Sequence, residues 1–537
     1  SGDWSSDVCS SDLLGGSSPL DLDETRRGLA RLVDREALDR RNAGATPGES
    51  RLAFRHALLR EAAYAALTDE DRRLGHRLAG AWLESSGEGE AVTIAAHFER
   101  GGEPERAVKW LSRGAEQALE GGDFANALAL AQRALVGIAS EAPRSMDLVL
   151  VGLHLILAEA HRWRGAFEEA ERAALQAASA ARPGSLPWFR AVDEVLGASL
   201  RRGNMDIGLS WAAMVSEVAE EPSARSAKVV CVCSAARLLF HAGQYADAAA
   251  MTERIRGLAE DRQTLEPRAV AEVERLFGAM ARHRGDLVGD LNGYGAALTA
   301  FERAGDARNA CNMQVSLGFT YIQVGDYERA RGALEAAEGR AERLGLSSVA
   351  TRARQNLGLV LAALGDVEAA RAIEERVVAE CRVQGNARFE AWTRIYLSAL
   401  ALAANRPVDA EREARTAADA LLGTPPARAG ALASLARALV AQNRLAEAER
   451  ASDAALRILD ELGAIEELEG LVFLAAAESA LASRQSGRAR TVLERACRRV
   501  HERAASIDDA ALRVSFLERV PENRALLALL AEQSTSR

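Results

Sequence analysis

Lysine is almost missing from this 537-residue chain: Lys109 and Lys228 are the only two. Neither follows a glycine, so a G-x-x-x-x-G-K-[ST] phosphate loop is excluded. The β3 lysine, H-R-D and D-F-G of a protein-kinase core are missing too. No G-x-S-x-G, H-E-x-x-H or paired C-x-x-C occurs, and no cofactor fingerprint is found, so no enzymatic site is expected. Aromatics make up 5% and prolines number 12, which starves β-structure and leaves long helices unbroken. The six cysteines (9, 231, 233, 311, 381 and 497) are scattered. Cys231 and Cys233 are two apart on a helical pattern, so their thiols diverge. They read as buried, reduced residues of a cytoplasmic protein, not as a disulfide framework or metal site. No stretch of 18 uncharged apolar residues exists, so no membrane-spanning helix is expected. A net charge of −10 argues against a general nucleic-acid binder, which needs a basic footprint.

What is abundant is Ala, Leu, Glu and Arg, the strong helix formers. The stretch Gly325-Asp326-Tyr327-Glu328-Arg329-Ala330 recurs in looser form about every 40 residues. Gly365-Asp366-Val367-Glu368-Ala369-Ala370, Asn405 to Ala410 and Asn443 to Ala448 follow it, and Gly165, Gly203, Gly243 and Gly285 precede it. A fixed period of this size marks an array of helical hairpins. Seven residues before each turn residue and five after it, where paired helices come closest, fourteen of sixteen positions are Gly, Ala or Ser. Leu196 and Asp290 are the exceptions. Small residues are needed there to let the axes approach to the usual ~8–10 Å.

Along the chain, residues 1–19 read as an artefactual or disordered leader. Ser1 to Leu13 resembles a translated sequencing adapter joined to a truncated frame, so the natural chain is expected to continue upstream. Residues 20–85 read as a winged-helix-like connector: a helix from Asp21 to Arg40, a loop around Pro47-Gly48, a short strand at Arg51 to His56, then helices from Ala57 and Asp69. Residues 86–147 read as transitional helical repeats, 148–505 as the solenoid, and 506–537 as a capping helix and tail. Leu526, Leu527, Leu529 and Leu530 are expected to cover the last pair.

The register resembles that of tetratricopeptide repeats, in the longer variety of bacterial transcription activators and kinesin light chains. FRHALLREAAYAAL, RRLGHRLAGAWLE and IAAHFERGG resemble the segment that joins the nucleotide-binding core of bacterial STAND-type signalling ATPases to such an array. SFLERVPENRALLALL resembles the C-terminal end of proteins combining a Ser/Thr kinase, a STAND ATPase and these repeats. The expected fold is therefore all-α, a right-handed α-solenoid of antiparallel helix pairs. The expected role is that of a protein-interaction and regulatory region of such an ATPase or kinase, with any catalytic domain upstream. The repeat region of a large transcription activator and a free-standing scaffold are the alternatives.

In the tetratricopeptide fold the first helix of each pair lines the concave face. Positions 13, 10, 6, 3 and 2 before each turn then bring inward Arg162, Arg190, Arg201, Arg237, Arg275, Arg282, Arg352 and Arg437, against Glu159, Asp193 and Glu272. His241 and His283, each two residues before a turn, join the candidates. The later repeats become apolar there, with Val315, Phe319, Ile322, Trp392, Ile395 and Leu402. Such a groove suits a protein or peptide partner with an acidic segment and an apolar one. His56, His76 and His97 read as packing or capping residues, and His154 and His161 lack metal-ligand spacing. The arginine-rich helix from Arg488 to Arg503 reads as a solvated face interrupted by Glu494 and Glu502.

Overall fold

The computed structural model describes residues 22–41, 51–87, 89–138, 146–258, 262–465 and 467–535. The expected leader and the Pro47-Gly48 loop lie outside the described residues. Among those described are 26 α-helices and a single two-stranded sheet. The protein is an all-α array of helix pairs, and it divides into two compact units between Leu153 and His154.

The first unit opens with α1 (Leu22–Asp34), β1 (Leu38–Arg41), β2 (Arg51–Phe54) and α2 (Ala57–Ala66). The helix expected to reach Arg40 stops at Asp34. Glu36 turns the chain through a left-handed step at φ 59°. Leu38 to Arg41 then pairs antiparallel with Arg51 to Phe54, Leu38 opposite Phe54. Pairing buries Leu38 and Ala53, and that burial overrides a local helix preference worth only tenths of a kcal/mol per residue. Four helices follow: α3 (Asp69–Ser86), α4 (Ala91–Gly101), α5 (Pro104–Glu120) and α6 (Phe124–Gly137). Thr68 caps α3 by accepting from the Asp71 amide and Asp123 caps α6 by accepting from the Asn126 amide, satisfying orphan amides at the helix starts. Leu83, Ile94, Phe98 and Ala107 form the core between α3, α4 and α5. Beneath it His76 and His97 are buried with their Nδ1 atoms 3.1 Å apart, and Tyr64 Oη lies 3.0 Å from His76 Nε2.

In the second unit the recurring Gly-Asp dipeptide acquires its physical meaning. All eight expected turn residues, 165 through 443, have positive φ. Glycine adopts this conformation without strain, and asparagine tolerates it. The aspartate that follows is the N-cap of the next helix: Asp286, Asp326 and Asp366 each accept from the amide three residues on. The same device recurs at Gly305-Asp306 and Gly385-Asn386, between successive pairs. The first helices of the pairs are α7 (Asp147–Arg164), α9 (Leu186–Arg202), α11 (Arg225–His241), α13 (Pro267–His283), α15 (Ala307–Gln323), α17 (Ser347–Ala363), α19 (Ala387–Ala403), α21 (Pro425–Ala441) and α23 (Glu469–Ala482). The second helices are α8 (Phe167–Ala180), α10 (Met205–Glu217), α12 (Tyr245–Leu258), α14 (Leu287–Arg303), α16 (Tyr327–Arg343), α18 (Val367–Gln384), α20 (Pro407–Ala420), α22 (Leu445–Leu462) and α24 (Ser486–Ala505). The small positions sit where helices press together. A Cβ on Gly318 would lie 2.6 Å from the Leu334 side chain, and Ala330, Ala370, Ala410 and Ala448 are fully buried.

The array winds far enough to meet itself. A Cβ on Gly165 would lie 2.9 Å from Gln384, one on Gly243 3.1 Å from Leu462, one on Gly285 2.9 Å from Arg503, and one on Gly423 3.2 Å from Met205. Each pair is 218 or 219 residues apart, so this spacing defines one superhelical turn. The tail, α25 (Ala510–Glu518) and α26 (Pro521–Thr535), fastens the turn. Ser515 Oγ donates to the Gly325 carbonyl at 2.8 Å, and Tyr327 Oη donates to the Arg519 carbonyl at 3.0 Å. Leu526 is fully buried, with Leu527, Leu529 and Leu530 packed on the same core. Among the described residues, no helix is long and apolar enough to cross a membrane.

Candidate functional site

Because the array closes on itself, the inward stripes of its first helices face one another across a cavity of about 290 Å³. Of the candidate groove residues, Arg162, Arg201, Arg237, His241, Arg275, Arg282, Phe319, Arg352 and Trp392 line it, as do Asp193 and Glu272. His283 does not. Its ring stacks on Tyr245 at 4.0 Å between centroids and meets Phe240 at 5.5 Å, so it is a packing residue. Arg190 is exposed and Arg437 pairs with Glu478 at 2.7 Å; both lie outside the cavity lining. Val315 and Ile395 belong to the core instead.

The lining holds eight arginines, four carboxylates and an aromatic wall that includes Phe319, Phe389, Trp392 and Tyr396. Several of these were missed because the inward stripe is wider than the positions used to find it. Glu194, Ser234, Ser316, Asn356 and Tyr396 stand nine residues before their turns, and Arg268 and Arg388 seventeen before. Those positions continue the same face by one helical step, at the i+3/i+4 spacing that defines it. Polar Asn309, Asn312, Gln355, Asn356 and Asn386 also contribute.

Most of the arginines are already committed. Arg162 donates to Glu194 at 2.7 Å, Arg237 to Glu272 at 2.8 Å, and Arg275 reaches Glu272 at 3.4 Å. Arg268 pairs with Asp193 at 3.4 Å. Burial would raise the Glu272 carboxyl, but Arg237, Arg275 and Arg268 together hold it down at about 2. Arg282 donates to Asp290 at 2.9 Å and to Thr320 Oγ1 at 3.0 Å, with Tyr294 and Phe319 rings each 5.1 Å from its guanidinium carbon. This explains the exception at Asp290: the acid occupies a small-residue position because it is the partner of Arg282. Leu196, the other exception, is fully buried, and nothing in the structure explains its size.

Arg201 and Arg352 differ. Arg201 donates to the Gly197 carbonyl at 2.7 Å, while Arg352 donates to Asn312 Oδ1 at 2.8 Å and touches Ser316 Oγ at 3.5 Å. Neither has a carboxylate within ion-pair distance among the described residues. Burial, with repulsion from Arg162, Arg352 and Arg275, pulls Arg201 down to about 9. Burial and Arg275 pull Arg352 down to about 10. Both remain cationic at neutral pH. Burial also drives His241 well below its ordinary value, helped by Arg388 and Arg237, so it faces the cavity as neutral imidazole.

The five described cysteines are buried and free. The arginine-rich helix α24 is tied down by acids: Arg490 to Glu494 and Arg499 to Glu469 at 2.8 Å, Arg495 to Asp460 at 2.6 Å, with Arg503 also on Glu469.

No protein-family model matches the chain, and no curated protein matches it. Among solved structures it is similar to a Rap protein complexed with competence and sporulation factor, at 12% identity and a TM-score of 0.45, over 65% of this chain and 98% of that one. It is similar to the Cut9–Hcn1 hetero-tetramer of the APC/C, at 11% identity and a TM-score of 0.45, over 87% and 94% of the two chains. A third likeness is to BtubC from P. vanneervenii, at 19% identity and a TM-score of 0.31, over 41% and 89%.

Proposed function

We propose that this chain is a non-catalytic regulatory region that takes up an acidic peptide or protein segment inside its superhelix. The observation that carries the reading is the cavity, where eight arginines outnumber four carboxylates in a chain of net charge −10. Forked guanidinium donors suit carboxylates, and the aromatic wall offers a place for an apolar side chain beside them. At about 290 Å³ the space sits at the small end of ligand pockets (~300–1,000 Å³), so a chain end or a few side chains fit, not a whole helix. The wider setting belongs to the same proposal: a cytoplasmic sensor region of a STAND-type signalling ATPase or kinase, with the first unit as the link to the catalytic part.

The test fills the cavity. Ala279 lines it, so Ala279→Trp is expected to abolish binding of acidic, aromatic-containing peptides that the unaltered chain selects from a synthetic library. Equal binding by both chains would reject the reading. The wider setting is tested by the genomic reading frame upstream of Leu14, where a P-loop or a kinase core is expected; a start codon there instead overturns it.

A further inference from the structure

Across the inner face, neighbouring repeats are stitched by polar pairs between their first helices. Arg162 with Glu194, Arg237 with Glu272, and Ser234 with Asp193 each link one repeat to the next. The charges of Arg162 and Arg237 are thereby cancelled by acids 32 and 35 residues away. The stitching changes at Arg352. Its partner one repeat back, at the equivalent position, is Asn312, whose amide oxygen accepts a hydrogen bond but carries no charge. It changes again at Arg201, whose bond goes to the carbonyl of Gly197 on its own helix. The nearby acid, Glu194, is taken by Arg162.

A buried cation without a counter-ion is costly unless something supplies the charge. Two half-buried cations of this kind, Arg201 and Arg352, line one cavity, and a third, Arg275, shares its single acid with Arg237. Asn and Ser side chains surround them: Asn312, Ser316 and Asn356 also line the space. Arg201 and Arg352 are thus held by neutral acceptors that fix their direction and leave guanidinium donors for an incoming group. Arg162, Arg237, Arg268 and Arg282 on the same face have carboxylates; these two have none within ion-pair distance among the described residues.

We infer that Arg201 and Arg352 form an anchor for one oxyanion, a carboxylate or a phosphate, with Arg275 as its third contact, and that this group completes the charge balance of the cavity. The inference rests on the reading of the cavity as the binding site and names the chemistry that holds the ligand there. The two sources share donors: a carboxylate takes two parallel N–H bonds from one fork, and a tetrahedral phosphate can span both. The aromatic wall then receives whatever the anion is attached to.

The experiment uses the full chain and two probes, succinate and inorganic phosphate, at constant ionic strength set with chloride. Thermal unfolding is followed as each is titrated. Saturable stabilisation by succinate assigns a carboxylate site; saturation at lower concentration by phosphate assigns a phosphate site. Arg201→Gln and Arg352→Gln are each expected to weaken the preferred probe about 10- to 150-fold, the loss of one charge-assisted hydrogen bond. Without any probe, the double variant is expected to melt higher than the parent, because two uncompensated, half-buried charges are gone. A purely structural role predicts the reverse. Arg437→Gln, which removes a partner of Glu478 outside the cavity lining, serves as control and leaves the probe response unchanged. No saturable response to either probe, or an equal one in the double variant, overturns the anchor. Should peptides still distinguish the parent from Ala279→Trp in that case, the anchor fails alone; should they not, the cavity reading fails with it.

Discussion

Arg282→Met is the substitution whose consequence is best fixed by the structure. Arg282 and Asp290 are buried, and Asp290 is fully so. Asp290 Oδ2 receives its bond from Arg282, while Oδ1 has no hydrogen-bond partner. Burial works against the charge on Arg282, but Asp290, Tyr294 and Glu467 together hold the guanidinium above its ordinary range. Removing the arginine leaves an aspartate with no counter-ion at the closest approach of α13 and α14. A Cβ on Gly293 would lie 2.5 Å from the Gly278 Cα, so little room exists for water to enter. Breaking one side of such a pair costs roughly 3–5 kcal/mol. Asp290→Ala is milder, on the order of 1–3 kcal/mol, because Arg282 keeps Thr320, two ring faces and Glu467 at 3.8 Å. Alanine is also the residue most repeats carry there. The double variant is expected to lose less than the two singles together, with a coupling of roughly 1–3 kcal/mol. A repeat array does not unfold in one step, so the assay is amide hydrogen exchange in Pro267–His283 and Leu287–Arg303, which reads local opening. Strict additivity, or a loss under about 1 kcal/mol for Arg282→Met, would refute the reasoning. The result matters for function as well. A charge reversal at Arg282 or Arg237 disturbs folding before it tests binding, so Arg201 and Arg352 are the informative positions.

Three further outcomes follow from buried polar groups and the tail. Glu374 is fully buried against Gly358, and neither carboxyl oxygen has a hydrogen-bond partner; burial pushes its carboxyl well above the ordinary range. Glu374→Leu is expected to stabilise α17 and α18 by about 1–3 kcal/mol, read as slower amide exchange there. The parent should lose stability as pH rises from the ordinary glutamate range through the raised value, since the folded state binds the extra proton, and the variant should not; identical pH profiles would contradict this. His76 is lowered to about 4 by burial, His97 and Arg100, and His97 is lowered by burial and Arg100. The unfolded chain then binds more protons below pH 6.5, so α3 and α4 should weaken as pH falls from 6.5 towards 4, by up to about 3 kcal/mol for His76. NMR titration of either ring near 6.5 would rule this out. Tyr327→Phe combined with Ser515→Ala removes both bonds between the tail and the Gly325 turn; exchange in Ala510–Glu518 should accelerate about 10-fold or more, while exchange in α7 to α9 stays unchanged.

The array was legible because its signals are local and repeated. The turn residue must tolerate positive φ, the next residue must cap, and one position on each helix must be small; all three lie within a few residues of Gly325 or Gly365. The inward stripe was legible for the same reason, as a helical periodicity counted from the turn. What the period does not carry is the pairing between positions. Arg282 and Arg352 occupy equivalent-looking inward positions, yet one is bound to Asp290 and the other to a neutral Asn312. That difference depends on which residue of another helix is opposite. The first strand, Leu38 to Arg41, failed to read for a related reason: a four-residue strand has meaning only once its partner is known. The self-contact of the superhelix, Gly165 with Gln384 and Gly285 with Arg503, spans more than five repeats and leaves no trace in any single one.

That self-contact is what turns a charged stripe into the lining of a cavity. On an open concave surface Arg201 and Arg352 would stay hydrated, and two unpaired arginines would signify little. Closure after 218 or 219 residues sets α9 against α19 and α11 against α21, and α13, α15 and α17 line the same cavity. Equivalent positions around it, thirteen residues before each turn, run Glu272, Asn312, Arg352 and Trp392. The charge therefore passes from acid to neutral amide to unpaired cation to aromatic as the superhelix advances. A ligand with an anion at one end and an apolar group at the other has a single orientation in such a gradient. Its anion would lie between Arg201, contributed by an early repeat, and Arg352, contributed by a later one, with its apolar end towards Trp392. Binding would then tighten the closure itself, and the contacts at Gly165, Gly243 and Gly285 are where that tightening would be felt along the chain.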